Sequence, residues 1–277
     1  MSQSLTDMDN IQNKLSADCE NCFGLCCVAL PYAKSADFAL NKDGGTPCPN
    51  LQSDYRCGIH KDLREKGFRG CAVYECFGAG QKVSQVTYDG NDWRNDKALA
   101  KEMFNVFPIM QQLHEMLYFL YEALHLEHTD SIHEDLQIAI EETENLTNLS
   151  PKSILDINVS EHRASVNTLL LQTSELVRAT IPNKETKIDR KSNLFGANLI
   201  GADLRGANLR GAILIAADLS NTDMRETDLI GADFRDANIC GANLEGSIFL
   251  TQAQVNAANG DAHTILPPAL RIPDHWY

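Results

Sequence analysis

Between residues 192 and 250 a large apolar side chain returns every fifth position: Leu194, Leu199, Leu204, Leu209, Leu214, Leu219, Met224, Leu229, Phe234, Ile239, Leu244 and Phe249. Two residues before each stands a small one, from Ser192 and Ala197 through Thr222 and Thr227 to Ala242 and Ser247. A period of five matches neither the 3.6 of a helix nor the 2 of a strand. It predicts a coil that turns a corner every five residues, so that four steps close a square and residues twenty apart stack. The large and small residues then point inward, and the other three of each step face solvent. Twelve steps give three coils, a rod of roughly 14 Å at about 4.8 Å per coil.

Upstream of the ladder the pattern is helical. One helix is predicted from near Trp93 to about Leu126, with Leu99, Met103, Val106, Phe107, Met110, Leu113, Leu117, Leu120 and Leu124 on one stripe. Asp92 is placed to cap it, and Pro108 to kink or divide it near Asn105. A second helix is expected over Ser131–Asn148, and a third opening on Ser150 and Pro151. A fourth runs from Ser160 to about Thr180, ended by Pro182. The methionines and aromatics of the first helix read as core. His114, Glu115, His125, His128 and His133 read as solvated, since no H-E-x-x-H pattern occurs. Glu141, Glu142 and Glu144 with Asp135 read as a solvated face or an acidic docking surface. Gln81–Tyr88 alternates and predicts a short strand. After the ladder, Thr251–Gln254 is a capping box opening a short helix that Asn259-Gly260 closes. The tail beyond Pro267-Pro268 is expected to fold back with Trp276 as its anchor.

On the outside of the coil, Phe195 falls under Ile215, and Ile213 adds a second apolar position to that face. Arg205 falls under Arg225 on the opposite face, and Cys240 belongs to the outer surface. The apolar stack predicts a docking surface. It is expected to receive the preceding helices, with a homodimer contact as the alternative.

Eight of the nine cysteines crowd into positions 19 to 76: Cys19, Cys22, Cys26, Cys27, Cys48, Cys57, Cys71 and Cys76. The first four read C-x2-C-x3-C-C, and a two-residue gap lets neighbouring thiolates turn toward one ion. Cys26 and Cys27 are adjacent, so their side chains leave the backbone in different directions. Glycines and prolines through this stretch predict a loop-rich domain that needs a staple. Thiolate-only ligation suits zinc or an iron–sulfur cluster, with zinc preferred, and eight thiols suffice for two ions or for one ion plus redox-active thiols. His60, three residues after Cys57, reads as an exposed imidazole more than as a ligand.

The five-residue pattern, read NLFGA-NLIGA-DLRGA-NLRGA from Asn193, resembles the pentapeptide-repeat family. That resemblance implies a right-handed quadrilateral β-helix over about sixty residues. The cysteine pattern, followed by C-P-N-L at Cys48–Leu51, C-x-I at Cys57–Ile59 and then Cys71, resembles a family of bacterial CxxCxxxCC domains described as zinc- or iron-chelating. That family carries Arg-Pro before its last cysteine where this chain reads LREKGFRGC, and Cys76 lies outside the shared pattern.

The expected architecture is therefore α+β and multidomain. A flexible N-terminus (1–16) precedes a cysteine-rich metal-binding head (17–91) and an α-helical domain (92–181). The pentapeptide β-helix (182–251) and a C-terminal cap and tail (252–277) follow. The net charge of −14 sharpens this when divided: residues 92–181 carry 15 acids against 6 bases, whereas residues 190–251 carry 8 against 6. Attraction to nucleic acid or an anionic membrane is disfavoured. No apolar run is long enough to span a bilayer, and the polar N-terminus lacks a signal-peptide core. The cytoplasm is the expected compartment, where disulfides are rare.

No phosphate loop, nucleophile elbow or isolated acid pair points to catalysis. The sequence favours a non-enzymatic scaffold for protein–protein interaction with a metal-stapled head. A thiolate redox or metal sensor is the alternative. Some pentapeptide-repeat proteins inhibit DNA gyrase by imitating duplex DNA. A rod of this length would need about eight uncompensated acids for that, and the ladder's net −2 disfavours it.

Overall fold

The computed structural model describes residues 14–181, 188 and 193–277. The chain divides into two units. The first runs through Leu124 and takes in His133–Leu169; the second comprises His125–Ile132 and Leu170–Tyr277. The expected flexible N-terminus lies mostly outside the described residues. Its last residues are tied down: Leu15 is buried, and Gln81 donates a side-chain hydrogen bond to the Ser16 carbonyl (2.8 Å).

In the first unit the head and the helices share one core instead of meeting at a boundary near residue 91. Helix α1 (Leu25–Ala29) supplies Leu25, Val28 and Ala29; helix α2 (Arg69–Ala72) follows in the loops. Helix α3 (Ala79–Gln81) runs into a π-helical turn over Lys82–Thr87. The strand expected at Gln81–Tyr88 is therefore a helix. Ala79, Val83 and Tyr88 are buried at spacings of four and then five. The second spacing is set by the π-type bond from Tyr88 N–H to the Val83 carbonyl (3.1 Å). A widened turn brings residues five apart onto one face, and that spacing breaks up a simple helical pattern.

Helix α4 (Lys97–Leu124) packs against α1, α3, α5 (His133–Thr147) and α6 (Pro151–Leu155). It starts four residues later than the sequence suggested. Asp96 caps it, accepting from the amides of Ala98 (2.7 Å) and Leu99 (3.3 Å). Trp93 belongs to the head instead: its indole N–H donates to the Phe23 carbonyl (2.9 Å). Pro108 does not divide the helix. An internal proline costs about 3 kcal/mol. Met103, Val106, Phe107 and Met110 are fully buried around it, at about 1.5–3 kcal/mol each, so packing outweighs the lost bond. Helices α5 and α6 begin within two residues of expectation, and the Ser150 hydroxyl accepts from the Ser153 amide as the cap. Helix α7 (Val159–Arg178) passes from the first unit into the second.

In the second unit the ladder is held by parallel bridges between single residues twenty apart, such as Asn198 with Asp218 and Asp203 with Asp223. Extended strands do not form, because each straight segment is one bridge long. Every step closes a turn such as Ala197 N–H to the Leu194 carbonyl (3.1 Å), with a left-handed residue at its third position. A type II turn requires that positive φ. Glycine fills most of these corners, while Ala216, Asn221, Glu226 and Asp236 tolerate it. The Asn or Asp that opens nearly every step accepts from the amide two residues on, as Asp218 does from Ser220 (3.1 Å). These Asx bonds explain a position that the sequence had marked only as polar and outward.

The inward stripe is as expected: from Leu204 to Leu244 every large residue is buried, and Ala207, Ala212, Ala217, Ala237 and Ala242 between them are too. Ser192 lies outside the described residues. Three outward positions depart from the solvent-facing expectation. Asp228, Ile248 and Leu250 are buried, and Asp228 pairs with Arg210 at 2.9 Å with both side chains nearly out of solvent. Elsewhere on the outer surface Arg205, Arg225 and Arg235 each pair with an aspartate two residues before.

The apolar outer stack is open to solvent at Phe195 (64 % exposed) and Ile213 (51 %), as is Ile200 on the neighbouring side (54 %). The end of α7 meets the ladder elsewhere, at Gly206, whose carbonyl accepts from Arg178 Nε (2.9 Å) and whose missing Cβ leaves room for Ile181. The far end is capped as expected. Thr251 and Gln254 form the capping box of α8 (Gln252–Ala257), and Gln254 Nε2 also donates to the carbonyls of Leu229 and Ala232. The tail returns, and Trp276 donates to the Ala258 carbonyl (3.0 Å) over Gly260.

Candidate metal centre

The head arranges its cysteines through short turns. Asp18 caps the turn Cys19–Asn21, accepting from the amides of Glu20 (3.0 Å) and Asn21 (3.3 Å). Gly24, at φ +67°, then reverses the chain into α1, where a side chain would strike Leu51 and the Tyr55 carbonyl. Cys26 and Cys27 follow within the first turn of α1, their sulfurs 3.9 Å apart. Cys48 is reached by a backbone bond from its amide to the Cys27 carbonyl (2.9 Å), and Cys57 lies in a bridge with Leu51. Cys71 sits in α2, its amide bonded to Phe68, and the Phe68 ring meets Tyr32 edge-on. Cys76 precedes the left-handed Gly78 that opens α3.

All nine cysteines are free, and of the eight in the head only Cys19 is exposed. Among the described residues, no three Cys, His, Asp or Glu side chains stand close enough together to hold a metal ion as they are. The thiols are nevertheless neighbours. Cys26 donates to the Cys27 sulfur, which holds Cys27 below the ordinary thiol value and Cys26 well above it. Burial raises Cys19, Cys22 and Cys57, and pushes Cys71 and Cys76 up to about 12.

Three features favour sulfur in its charged form. Backbone amides point at several thiols: Leu25 and Gly24 at Cys22, Gly80 and Gly78 at Cys76, and Ile59 at Cys57. Such donors favour the thiolate. Lys42 is buried, its ammonium donating to the carbonyls of Val28 (3.2 Å), Asp43 (3.1 Å) and Thr46 (3.1 Å). The anionic groups acting most strongly on it are Cys48 and Cys27, ahead of Asp43. Finally, the Tyr32 hydroxyl donates to the Cys48 sulfur (3.3 Å). The Tyr74 hydroxyl, buried beside Cys76 and Cys26, has no partner.

A Bacillus subtilis (strain 168) protein described as "Uncharacterized protein YybG" is 69 % identical over the full length of both chains. The chain belongs to the YybG family. Within it, residues 192–246 match the family model described as Pentapeptide repeats, in eight copies. A crystal structure of a pentapeptide repeat protein from the Arabidopsis thaliana thylakoid lumen is 26 % identical over 33 % of this chain and 68 % of that one. Its TM-score is 0.15, too low to bear on the fold. None of these relatives points to an enzyme.

Sequence reasoning about this YybG-family member overlooked Lys42, Tyr74 and Gly80. Lys42 lies in an unremarkable K-D-G-G turn, and nothing local signals that its ammonium is buried. Gly80 is one of many glycines in a loop-rich stretch; a Cβ there would fall 2.7 Å from the Cys22 sulfur. The histidines divide: His125, His128 and His133 are exposed as expected, as is His60. His114 is instead a core residue, its Nδ1 donating to the Phe77 carbonyl (2.7 Å), and burial lowers it to about 4. Cys240 lies on the outer surface of the ladder, apart from the thiol group.

Proposed function

We propose that this chain is a non-enzymatic pentapeptide-repeat protein whose ladder offers a protein-binding surface and whose head is stapled by a thiophilic metal, with zinc preferred. One observation carries the metal reading: Cys22, Cys26, Cys27, Cys48, Cys71 and Cys76 gather about a buried lysine and two tyrosine hydroxyls, and backbone amides are directed at the sulfurs of Cys22, Cys57 and Cys76. Cys19, Cys22, Cys26, Cys27, Cys48, Cys57, Cys71 and Cys76 would hold the metal. It would supply charge balance for the thiolates and rigidity for loops with little regular structure. The reading assigns the protein to a reducing compartment, the cytoplasm, where the thiols stay free. Among the described residues no helix is long and apolar enough to cross a membrane.

The interaction surface is the apolar face of Phe195 and Ile213, more than half exposed at each position. It would take another protein or a second copy. Imitation of DNA is disfavoured because the ladder's arginines pair with its aspartates row by row. The alternative, a redox or metal sensor built on an iron–sulfur cluster, draws on the hydrogen-bonded Cys26–Cys27 pair.

Elemental analysis and a visible spectrum of protein purified without oxygen test the metal reading. Colourless protein containing zinc is expected. Brown protein with iron and labile sulfide would replace the staple by the sensor reading. Protein without metal, with every thiol titrating freely, would overturn both.

A further inference from the structure

We infer that the eight head cysteines form two separate four-thiolate sites, one of Cys19, Cys22, Cys26 and Cys76, the other of Cys27, Cys48, Cys57 and Cys71. This rests on the metal-binding reading above and adds to it the number of sites and the membership of each.

The dividing line runs through α1. Successive residues of a helix point about 100° apart, so Cys26 and Cys27 face different neighbours although their sulfurs are 3.9 Å apart. On the Cys26 side, Gly80 is the meeting point: a Cβ there would lie 2.7 Å from the Cys22 sulfur and 4.0 Å from that of Cys76. Cys22 and Cys76 are also the thiols, after Cys27, whose charge acts on Cys26. Cys19 joins through the capped turn Cys19–Asn21, which leads directly to Cys22, the thiol it acts on, although Cys27 also acts on Cys19.

On the Cys27 side the backbone does the gathering. Cys48 N–H bonds the Cys27 carbonyl (2.9 Å), Leu51 N–H bonds the Cys48 carbonyl (3.0 Å), and Leu51 bridges to Cys57. Cys71 arrives with Phe68 against the Tyr32 ring, whose hydroxyl already donates to Cys48. The thiols acting on Cys71 are Cys27, Cys48 and Cys57, with no member of the first set among them.

Each set also has a tyrosine hydroxyl beside it. Tyr32 serves the second set. Tyr74 holds the matching position in the first, its buried hydroxyl unpartnered beside Cys76, Cys26 and Cys22. A buried hydroxyl without an acceptor costs about 1–3 kcal/mol, and a thiolate formed on metal binding would satisfy it. Lys42 lies nearest the second set, acting with Cys48 and Cys27 ahead of Cys26 of the first, so the two sites differ in local charge and hence in how firmly they hold a divalent cation.

The test is zinc content of the full-length protein, with cobalt(II) as a spectroscopic probe of thiolate ligation. Two equivalents are expected. Cys22→Ser with Cys76→Ser should leave one equivalent, and Cys48→Ser with Cys71→Ser should leave the other. Tyr74→Phe keeps all ligands and should accelerate chelator removal of one equivalent by several-fold while leaving the second unchanged; Tyr32→Phe should do the reverse. A single equivalent in the unaltered protein, or loss of both metals at equal rates in each tyrosine variant, would overturn the two-site assignment while leaving metal binding intact. The tyrosine variants keep the assignment testable if a cysteine pair fails to fold. Absence of any bound metal would sink the underlying reading instead.

Discussion

Gly211 and Ala216 stand at successive corners of the ladder, both left-handed, with φ of +63° and +55°. Exchanging their identities isolates what the corner demands. Each amide donates to a carbonyl in the next coil, Gly211 to Ile230 and Ala216 to Arg235, both at 2.9 Å, and neither bond depends on the side chain. A Cβ on Gly211 would meet nothing within 4 Å, so Gly211→Ala introduces no clash and removes no contact. Its whole effect is conformational. A left-handed L-residue costs roughly 1–2 kcal/mol, of which the stiffer unfolded chain returns about 0.4–1. The expected net loss is about 1 kcal/mol, a factor of about five in the unfolding equilibrium.

Ala216→Gly should move stability the other way by about 0.5–1 kcal/mol, since Ala216 is exposed and packs on nothing it would miss. The assay is urea unfolding of the full chain, following the transition of the C-terminal unit and comparing midpoints at constant slope. A neutral Gly211→Ala would refute the argument, showing that glycine is not there to permit the positive φ. A destabilising Ala216→Gly would do the same from the other side.

Other consequences follow from buried charge and from the cap. Asp228→Ala removes the carboxylate that pairs with Arg210 and should cost about 3–5 kcal/mol, whereas Arg210→Met with Asp228→Leu should cost far less; equal losses in urea melts would refute the ion-pair account. His114 is held neutral by burial, to about 4. The unfolded chain then binds a proton first, and stability of the first unit should fall as pH drops from about 6.5 to about 4, by up to roughly 3 kcal/mol. An NMR titration of His114 with a midpoint near 6.5 would contradict this. Trp276→Ala removes the donor to Ala258 and the ring over Gly260; it should cost about 3 kcal/mol and expose the tail to protease, and an unchanged proteolysis pattern would show that the tail is not anchored there. Phe195→Lys with Ile213→Lys should leave stability within about 0.5 kcal/mol, because both side chains are exposed; a loss above 1 kcal/mol would mean the face packs against its own chain.

The cysteine head shows why the candidate site was only partly legible. Spacing marked the eight thiols, because ligating a soft ion needs a residue type that seldom clusters otherwise. Spacing could not divide them, since that depends on which loop returns to which. Nor could it reveal that Lys42, alone in a polar turn, ends buried on three carbonyls beside Cys48 and Cys27. The π-turn at Lys82–Thr87 was missed for a related reason: its five-residue spacing comes from a single backbone bond, Tyr88 to Val83, that no side chain announces.

The ladder lies at the other extreme. Its inward stripe, its corners and its cap follow from local rules repeated every five residues: a small residue, an Asn or Asp bonding two residues on, a large apolar residue, a corner that favours glycine. Such rules act between near neighbours and so are written in the order of residues. What covers the outward positions obeys no local rule. Asp228, Ile248 and Leu250 are buried while Phe195, Ile200 and Ile213, more apolar on average, stay exposed. Burial of an outward side chain depends on what comes to lie against it, as Arg210 does against Asp228. Long-range packing settled those positions, and periodicity could not.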